Sequence, residues 1–347
     1  MAGLMAGLMI ESMVGPNEVA AFLHRHGWGD ADRRPMAGDA SARRYERLYR
    51  AGNKDAGQGL LMLAPPGPMA TEFITVAAIL DSLGLSAPRI LAAEPDLGLA
   101  LVEDFGDDTY TALLDHGIPP LPLYELAVDS LIHLHRHFSP DGAAARLPVF
   151  DRELFLNQTM LFCESYLPTV LDTVDDQAIE SFRQAWTAPL EQALTVPNSL
   201  LLRDFHAGNL FHLSDRPGVR ACGLIDFQDA GVGPVTYDMV SLLQDARRDV
   251  PARVTAACLA RYTAAFPNLD PGLFEISYNV LAAQRHIRVI AIFARLAGQG
   301  KPDYMAYLPR LLALLGQALG HPVLEDLAIW FDRHLNAVIE IGQQPRQ

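Results

Sequence analysis

Apolar residues recur along this chain with two different spacings, and the change falls near residue 106. Before it, short apolar runs are bounded by turn formers. Gly59-Leu60-Leu61-Met62-Leu63-Ala64 stops at Pro65-Pro66, and residues 90–93 and 99–103 form two more runs, all too short for helices and read as strands. Residues 36–45 place a Gly-Asp-Ala-Ser turn ahead of another strand, and Gly52-Asn53 is the turn of a hairpin leading into the Gly59 run. Helical spacing occurs twice here: at residues 17–26, where Val19, Phe22 and Leu23 share a face, and at residues 73–83, which stop at Gly84. After Gly106 the helical period takes over. Leu123, Leu126, Ala127, Leu131, Leu134 and Phe138 lie on one face, and further helices are predicted over 151–166, 176–194, 235–247, 254–266, 272–296, 304–319 and 324–335. The expected class is therefore α+β and bilobal. A small β-rich N-terminal lobe spans 1–103, with 1–15 as a loose tail, and a larger helical C-terminal lobe spans 104–347.

One stretch interrupts the helical part. Leu201-Leu202-Arg203-Asp204-Phe205-His206-Ala207-Gly208-Asn209-Leu210 is followed by Gly223-Leu224-Ile225-Asp226-Phe227, in which Asp226 ends an apolar run read as a buried strand. A turn containing Asp and Asn, or a strand capped by Asp, accounts for either half alone. The two in order, each bordered by apolar residues, suit phosphoryl transfer: a carboxylate meets an attacking hydroxyl, while hard oxygen ligands hold Mg²⁺ against a triphosphate. Protein kinases place a base Asp and a metal-binding Asn at the spacing of Asp204 and Asn209, with a second metal-binding Asp downstream.

Composition narrows the class further. The 347 residues are 50% hydrophobic and 20% charged, which is globular, and a net charge of −14 makes nucleic acid or an anionic membrane an unfavourable partner. Cys163, Cys222 and Cys258 are scattered, with no Cys/His cluster, so neither a disulfide framework nor a zinc site is expected. No apolar run approaches the roughly 20 residues of a membrane span. Residues 1–10 lack the basic start and cleavage site of a signal peptide, and the expected compartment is the cytoplasm. Nothing in the sequence sets an oligomeric state.

The layout resembles the aminoglycoside phosphotransferase superfamily, a small-molecule branch of the protein-kinase-like fold. Leu202 to Asn209 looks like its catalytic loop, Ile225-Asp226-Phe227-Gln228-Asp229-Ala230 like its metal-binding segment, and Tyr237-Asp238 like its helix-opening Asp. Four segments are similar to the anomeric kinases for N-acetylmuramate and N-acetylglucosamine, which phosphorylate the sugar C1 hydroxyl in peptidoglycan recycling. They are Ala37-Gly38-Asp39-Ala40-Ser41-Ala42-Arg43-Arg44-Tyr45, Ala64-Pro65-Pro66, residues 103–110 and residues 241–250.

The resemblance implies ATP and Mg²⁺ as cofactors and an amino sugar as substrate. It implies Asp204 as the catalytic carboxylate and Asn209 and Asp226 as metal ligands, with His206 and Asp238 supporting the loop. Gly38, Asp39 and Ser41 would cover the phosphates, and Glu103 and Phe105 would meet the adenine. Arg203, Gln228, Asp229, Gln284, Arg285 and Arg288 are the candidates for the acceptor. The chain departs from the kinase pattern in its third strand, Leu60-Leu61-Met62-Leu63-Ala64, which carries no Lys; Arg43 or Arg44 is the expected replacement. The alternatives are a kinase of this fold acting on an aminoglycoside, choline or homoserine, and a non-catalytic pseudokinase.

Overall fold

A computed structural model describes residues 14–36, 43–50 and 58–335. The chain forms two compact units, Met1–Ile118 with Gly208–Asp229, and Pro119–Ala207 with Ala230–Gln347. The first unit contains α1 (Pro16–Arg25), β1 (Asp32–Pro35), β2 (Arg44–Tyr49), β3 (Gln58–Leu63), α2 (Pro68–Ser82), β4 (Ile90–Glu94), β5 (Leu99–Glu103) and α3 (Tyr110–Asp115). The second begins with α4 (Pro120–His137), α5 (Arg152–Ser165), α6 (Leu167–Val170), α7 (Asp176–Ala185), α8 (Thr187–Ala193) and β6 (Asn198–Leu201). The chain re-enters the first unit for β7 (Leu210–His212) and β8 (Cys222–Leu224). It closes in the second with β9 (Gly231–Pro234), α9 (Thr236–Leu243), α10 (Ala252–Ala265), α11 (Pro271–Gly298), α12 (Leu308–Leu319) and α13 (Glu325–His334).

In the first unit the strands form an antiparallel sheet of order β1-β2-β3-β5-β4. Strand alternation divides its side chains between two faces. Leu48, Leu61, Leu63, Leu99 and Leu101 pack with Val19, Phe22 and Leu23 of α1 into one core. Tyr45, Arg47 and Leu60 therefore belong to the other face, where Arg47 lies opposite Leu60 in the register. β7 and β8 form a hairpin anchored to this unit, with the Leu224 N–H donating to Ser86 O at 2.8 Å and the His212 N–H to Asp108 O at 2.9 Å. This anchoring holds Asn209 and Asp226, which flank the hairpin, against the sheet's own unit.

The second unit is built on α11, whose residues Val280, Leu281, Ala282 and Ala283 are fully buried. β6 and β9 pair antiparallel, with Leu201 opposite Gly231, and β6 packs against α4. Only glycine fits at that end of β9, because a Cβ on Gly231 would lie 2.4 Å from Pro148 O.

Two expectations change in detail. The helix predicted over 176–194 is two helices broken at Trp186, because Pro189 has no N–H to donate and its ring crowds the carbonyl four residues earlier. β1 was not anticipated: Asp32-Arg33-Arg34-Pro35 is exposed along its length and shows no apolar alternation. It is a charged edge strand ended by proline, a composition that discourages further pairing. The expected turns at residues 38–41 and 52–53 lie outside the described residues.

Candidate active site

β2, β3, β5 and the β7–β8 hairpin line a pocket within the first unit. One end is apolar, with Leu60, Val102, Phe105, Phe211 and Ile225; the other carries Arg43, Asn209 and Asp226. The Phe105 ring meets Phe211 edge-on at 5.7 Å, and the Arg216 guanidinium lies 5.2 Å over Phe105. Glu103 lines the same end, but its carboxylate is engaged by Arg216 at 2.6 Å and Arg89 at 3.3 Å. Burial alone would raise its pKa; these two arginines outweigh that and hold it below the usual carboxylate range.

At the charged end Asp226 is in the left-handed region, with φ 62°. Asp tolerates that region better than most residues, and its carboxylate is thereby brought beside Asn209. Asn209 Nδ2 lies 3.4 Å from Asp226 Oδ2, so turning the amide over brings a second oxygen next to the carboxylate. Two hard oxygens fit Mg²⁺, which takes few protein ligands and completes its shell with phosphate oxygens and water. No cluster of three or more His, Cys, Asp or Glu suited to a metal occurs among the described residues.

Asp226 Oδ1 is contacted by the Arg43 guanidinium, whose Nη1 also donates to Gln228 Oε1 at 2.7 Å. Arg43 is buried and lines the pocket, whereas Arg44, next along the strand, is exposed on the opposite face. Asp229 is exposed. Gly38, Asp39 and Ser41 lie outside the described residues.

The other candidates belong to the second unit. Asp204 is partly buried in the turn after β6. Burial would raise its pKa, but Arg288, then Arg203, His206 and Arg285, outweigh that and hold the carboxyl below its ordinary value. The turn is fixed by Asp238 at the start of α9, which accepts the Leu202 N–H at 2.6 Å and the Arg203 N–H at 2.9 Å. Arg203 is itself left-handed, with φ 74°; it and Asp226 are the two such non-glycine residues among those described. His206 is buried beside Arg247, and burial pushes its pKa down. On α11, the Gln284 amide nitrogen donates to Phe155 O at 3.2 Å and Gln158 Oε1 at 3.3 Å while its Oε1 finds no partner among the described residues, and Arg288 donates to Tyr237 Oη at 3.3 Å. Arg285 is 2% exposed, and its Nε and Nη1 find no hydrogen-bond partner among the described residues.

Residues 32–272 match the phosphotransferase enzyme family. The chain belongs to that family. An N-acetylmuramate/N-acetylglucosamine kinase of Caulobacter vibrioides is 37% identical over 347 residues, spanning 91% of this chain and 95% of that protein. A kinase of the same name from Pseudomonas aeruginosa is 33% identical across 87% of this chain and 89% of its own. Among solved structures, a choline/ethanolamine kinase family protein from Mesorhizobium loti has a TM-score of 0.59 at 14% identity, covering 93% of this chain and 99% of that one. The ADP-bound aminoglycoside phosphotransferase APH(2'')-Ib has a TM-score of 0.58 at 15% identity, covering 87% and 99%. These likenesses bear on fold, and the α+β protein-kinase-like architecture expected from the sequence is the one found.

One part of the phosphotransferase pocket escaped the sequence reading. Arg47 lines it, with its Nε 2.6 Å from Asp104 Oδ2 and its Nη2 donating to Asp104 Oδ1 at 3.2 Å and to Asp107 Oδ1 at 2.8 Å. The Asp104 side chain is 1% exposed, and its Oδ1 also accepts the Gly106 N–H at 2.9 Å. Arg47→Ala should lower stability by about 3–5 kcal/mol in urea unfolding, since it leaves a buried carboxylate without its cation. The exposed Asp107 contributes little of that.

Proposed function

We propose that this phosphotransferase moves the γ-phosphoryl group of ATP, with Mg²⁺, onto the anomeric hydroxyl of N-acetylmuramate or N-acetylglucosamine in the cytoplasmic recycling of cell-wall sugars. The observation that carries the reading is the 37% identity, over nearly the whole of both chains, to a kinase named for those two sugars. The first unit's pocket suits a nucleotide, with an apolar slot for the purine beside Glu103 and Phe105 and charged groups for the phosphates. Asn209 and Asp226 would hold Mg²⁺, which when bound draws charge off the phosphates. Asp204 would orient the sugar hydroxyl. With its pKa lowered it is a weak base, which is tolerable because phosphoryl transfer depends on positioning and charge neutralisation more than on early deprotonation.

Among the alternatives, an aminoglycoside is a polycation and would meet the positive charges of Arg203, Arg285 and Arg288 around Asp204. A sugar with a lactyl carboxylate is favoured by the same charges. A coupled ADP-release assay over acetamido sugars, aminoglycosides, choline and homoserine tests the reading, with phosphorus NMR to locate the new phosphate. Turnover of the acetamido sugars with phosphate on C1 is expected. Turnover of another acceptor alone, or of none, would overturn it.

A further inference from the structure

A nucleotide-binding pocket needs positive charge for the triphosphate, and β3 supplies none: its residues are Gln58-Gly59-Leu60-Leu61-Met62-Leu63. Two guanidiniums reach the described pocket instead, both from the inner face of β2 and its approach. They are not equivalent. Arg47 is committed to Asp104 and Asp107 beside the purine end. Arg43 is lodged at the phosphate end, on Oδ1 of Asp226, whose other oxygen Oδ2 lies 3.4 Å from the Asn209 amide, with Gln228 holding the same guanidinium and donating back to Asp226 Oδ1 at 3.2 Å.

A divalent cation on one oxygen of a partly buried carboxylate strongly repels a guanidinium held on the other. The two partners differ in access: the Arg43 side chain is 5% exposed, the Asp226 side chain 34%. A metal can therefore approach the carboxylate from its open side, and Arg43 must then find another anion nearby. Triphosphate oxygens are the anion the pocket would bring.

We infer that Arg43 is an exchangeable counterion. It neutralises Asp226 in the nucleotide-free protein and yields that carboxylate when metal and triphosphate arrive together, turning its guanidinium to the phosphate oxygens. This rests on the nucleotide and metal assignments proposed above, but not on the identity of the sugar. A single residue then does the work of the absent strand Lys and also suppresses metal binding in the empty pocket. Metal alone drives Arg43 off its carboxylate without bringing an anion to replace it; metal with nucleotide brings one. The two ligands consequently assist one another, and by linkage each raises the other's affinity by the same factor.

The test separates the two halves of the exchange. Mn²⁺ binding without nucleotide is followed by electron paramagnetic resonance, and ATP binding without divalent ions by calorimetry in EDTA, for the wild type, Arg43→Ala and Arg43→Lys. Arg43→Ala should bind Mn²⁺ alone about tenfold more tightly and metal-free ATP about tenfold more weakly. These opposite signs are not what general damage to the pocket would produce. Arg43→Lys keeps the charge but loses the fork that spans Asp226 and Gln228, and should tighten Mn²⁺ alone by a few-fold. Melting curves establish that each variant folds, and if the Ala variant does not, the Lys variant decides. Unchanged or weaker Mn²⁺ binding would overturn the inference, as would unchanged metal-free ATP binding. Neither titration contains sugar, so failure of the acceptor assignment would leave these results standing.

Discussion

Asp204→Asn should lower kcat by about 10²–10⁴-fold, the range for losing a positioned proton acceptor, while changing the KM for ATP little. The amide keeps the size of the side chain and one oxygen, but loses the charge that draws a hydroxyl proton. Apparent ATP affinity is spared because the proposed nucleotide groups, Arg43, Asn209 and Asp226, are carried by the other compact unit. The sign of the pH dependence follows from the cations around the carboxylate. They hold the Asp204 pKa below its ordinary value, so it stays ionised through neutrality. The wild-type rate should lose this group's contribution only as pH falls beneath the usual carboxylate range, and the variant should lack that acidic limb. Steady-state kinetics carried from pH 8 to below pH 4 would show it. An Asn variant within threefold of wild type would remove Asp204 from the chemistry.

The parts of the site legible in the sequence were those whose spacing is local. Asp204 and Asn209 sit on one loop, and Asp226 follows a short apolar strand, so the backbone alone dictates their order. Arg43 is 183 residues from Asp226 in the chain, and nothing local joins them. The sequence left Arg43 and Arg44 as equal candidates. Strand alternation separates them, because the register that buries Leu48 against α1 sends Arg44 outward and Arg43 into the pocket. Arg47 and Asp104 were missed for a related reason: a charged residue in a strand or just past its end reads as solvated, and only the fold shows that Asp104 is enclosed. The helix 272–296 was legible by its length and hydropathy. The commitments of Gln284 and Arg288 within it depend on α5 and α9, whose packing no periodicity reveals. β1 carried no apolar signal at all, being an edge with no buried face.

Asp238→Ala should cost about 2–6 kcal/mol, since two backbone N–H groups lose their acceptor at a site 1% exposed and each unsatisfied donor costs about 1–3 kcal/mol. The loss falls where the chain is already strained, because one of those donors belongs to Arg203 in its left-handed conformation. Asp238 accepts two successive N–H groups of this turn, and without its carboxylate Asp204, the next residue, should lose its aim. Turnover should therefore fall about tenfold or more in variant protein that is still folded. Asp238→Asn keeps one acceptor oxygen and should lie between. The carboxyl also imposes a pH signature. Burial, opposed by the two N–H bonds, pushes its pKa up to about 7, above its unfolded value of about 4. A raised folded pKa means the folded state retains a proton that the unfolded chain releases. The stability due to this group is thus complete below pH 4, declines as pH rises, and is gone above 7. Urea unfolding between pH 4 and 7 should show a downward trend in the wild type that is flatter in Asp238→Ala. Equal slopes would mean that Asp238 is ionised throughout, its two N–H bonds outweighing its burial.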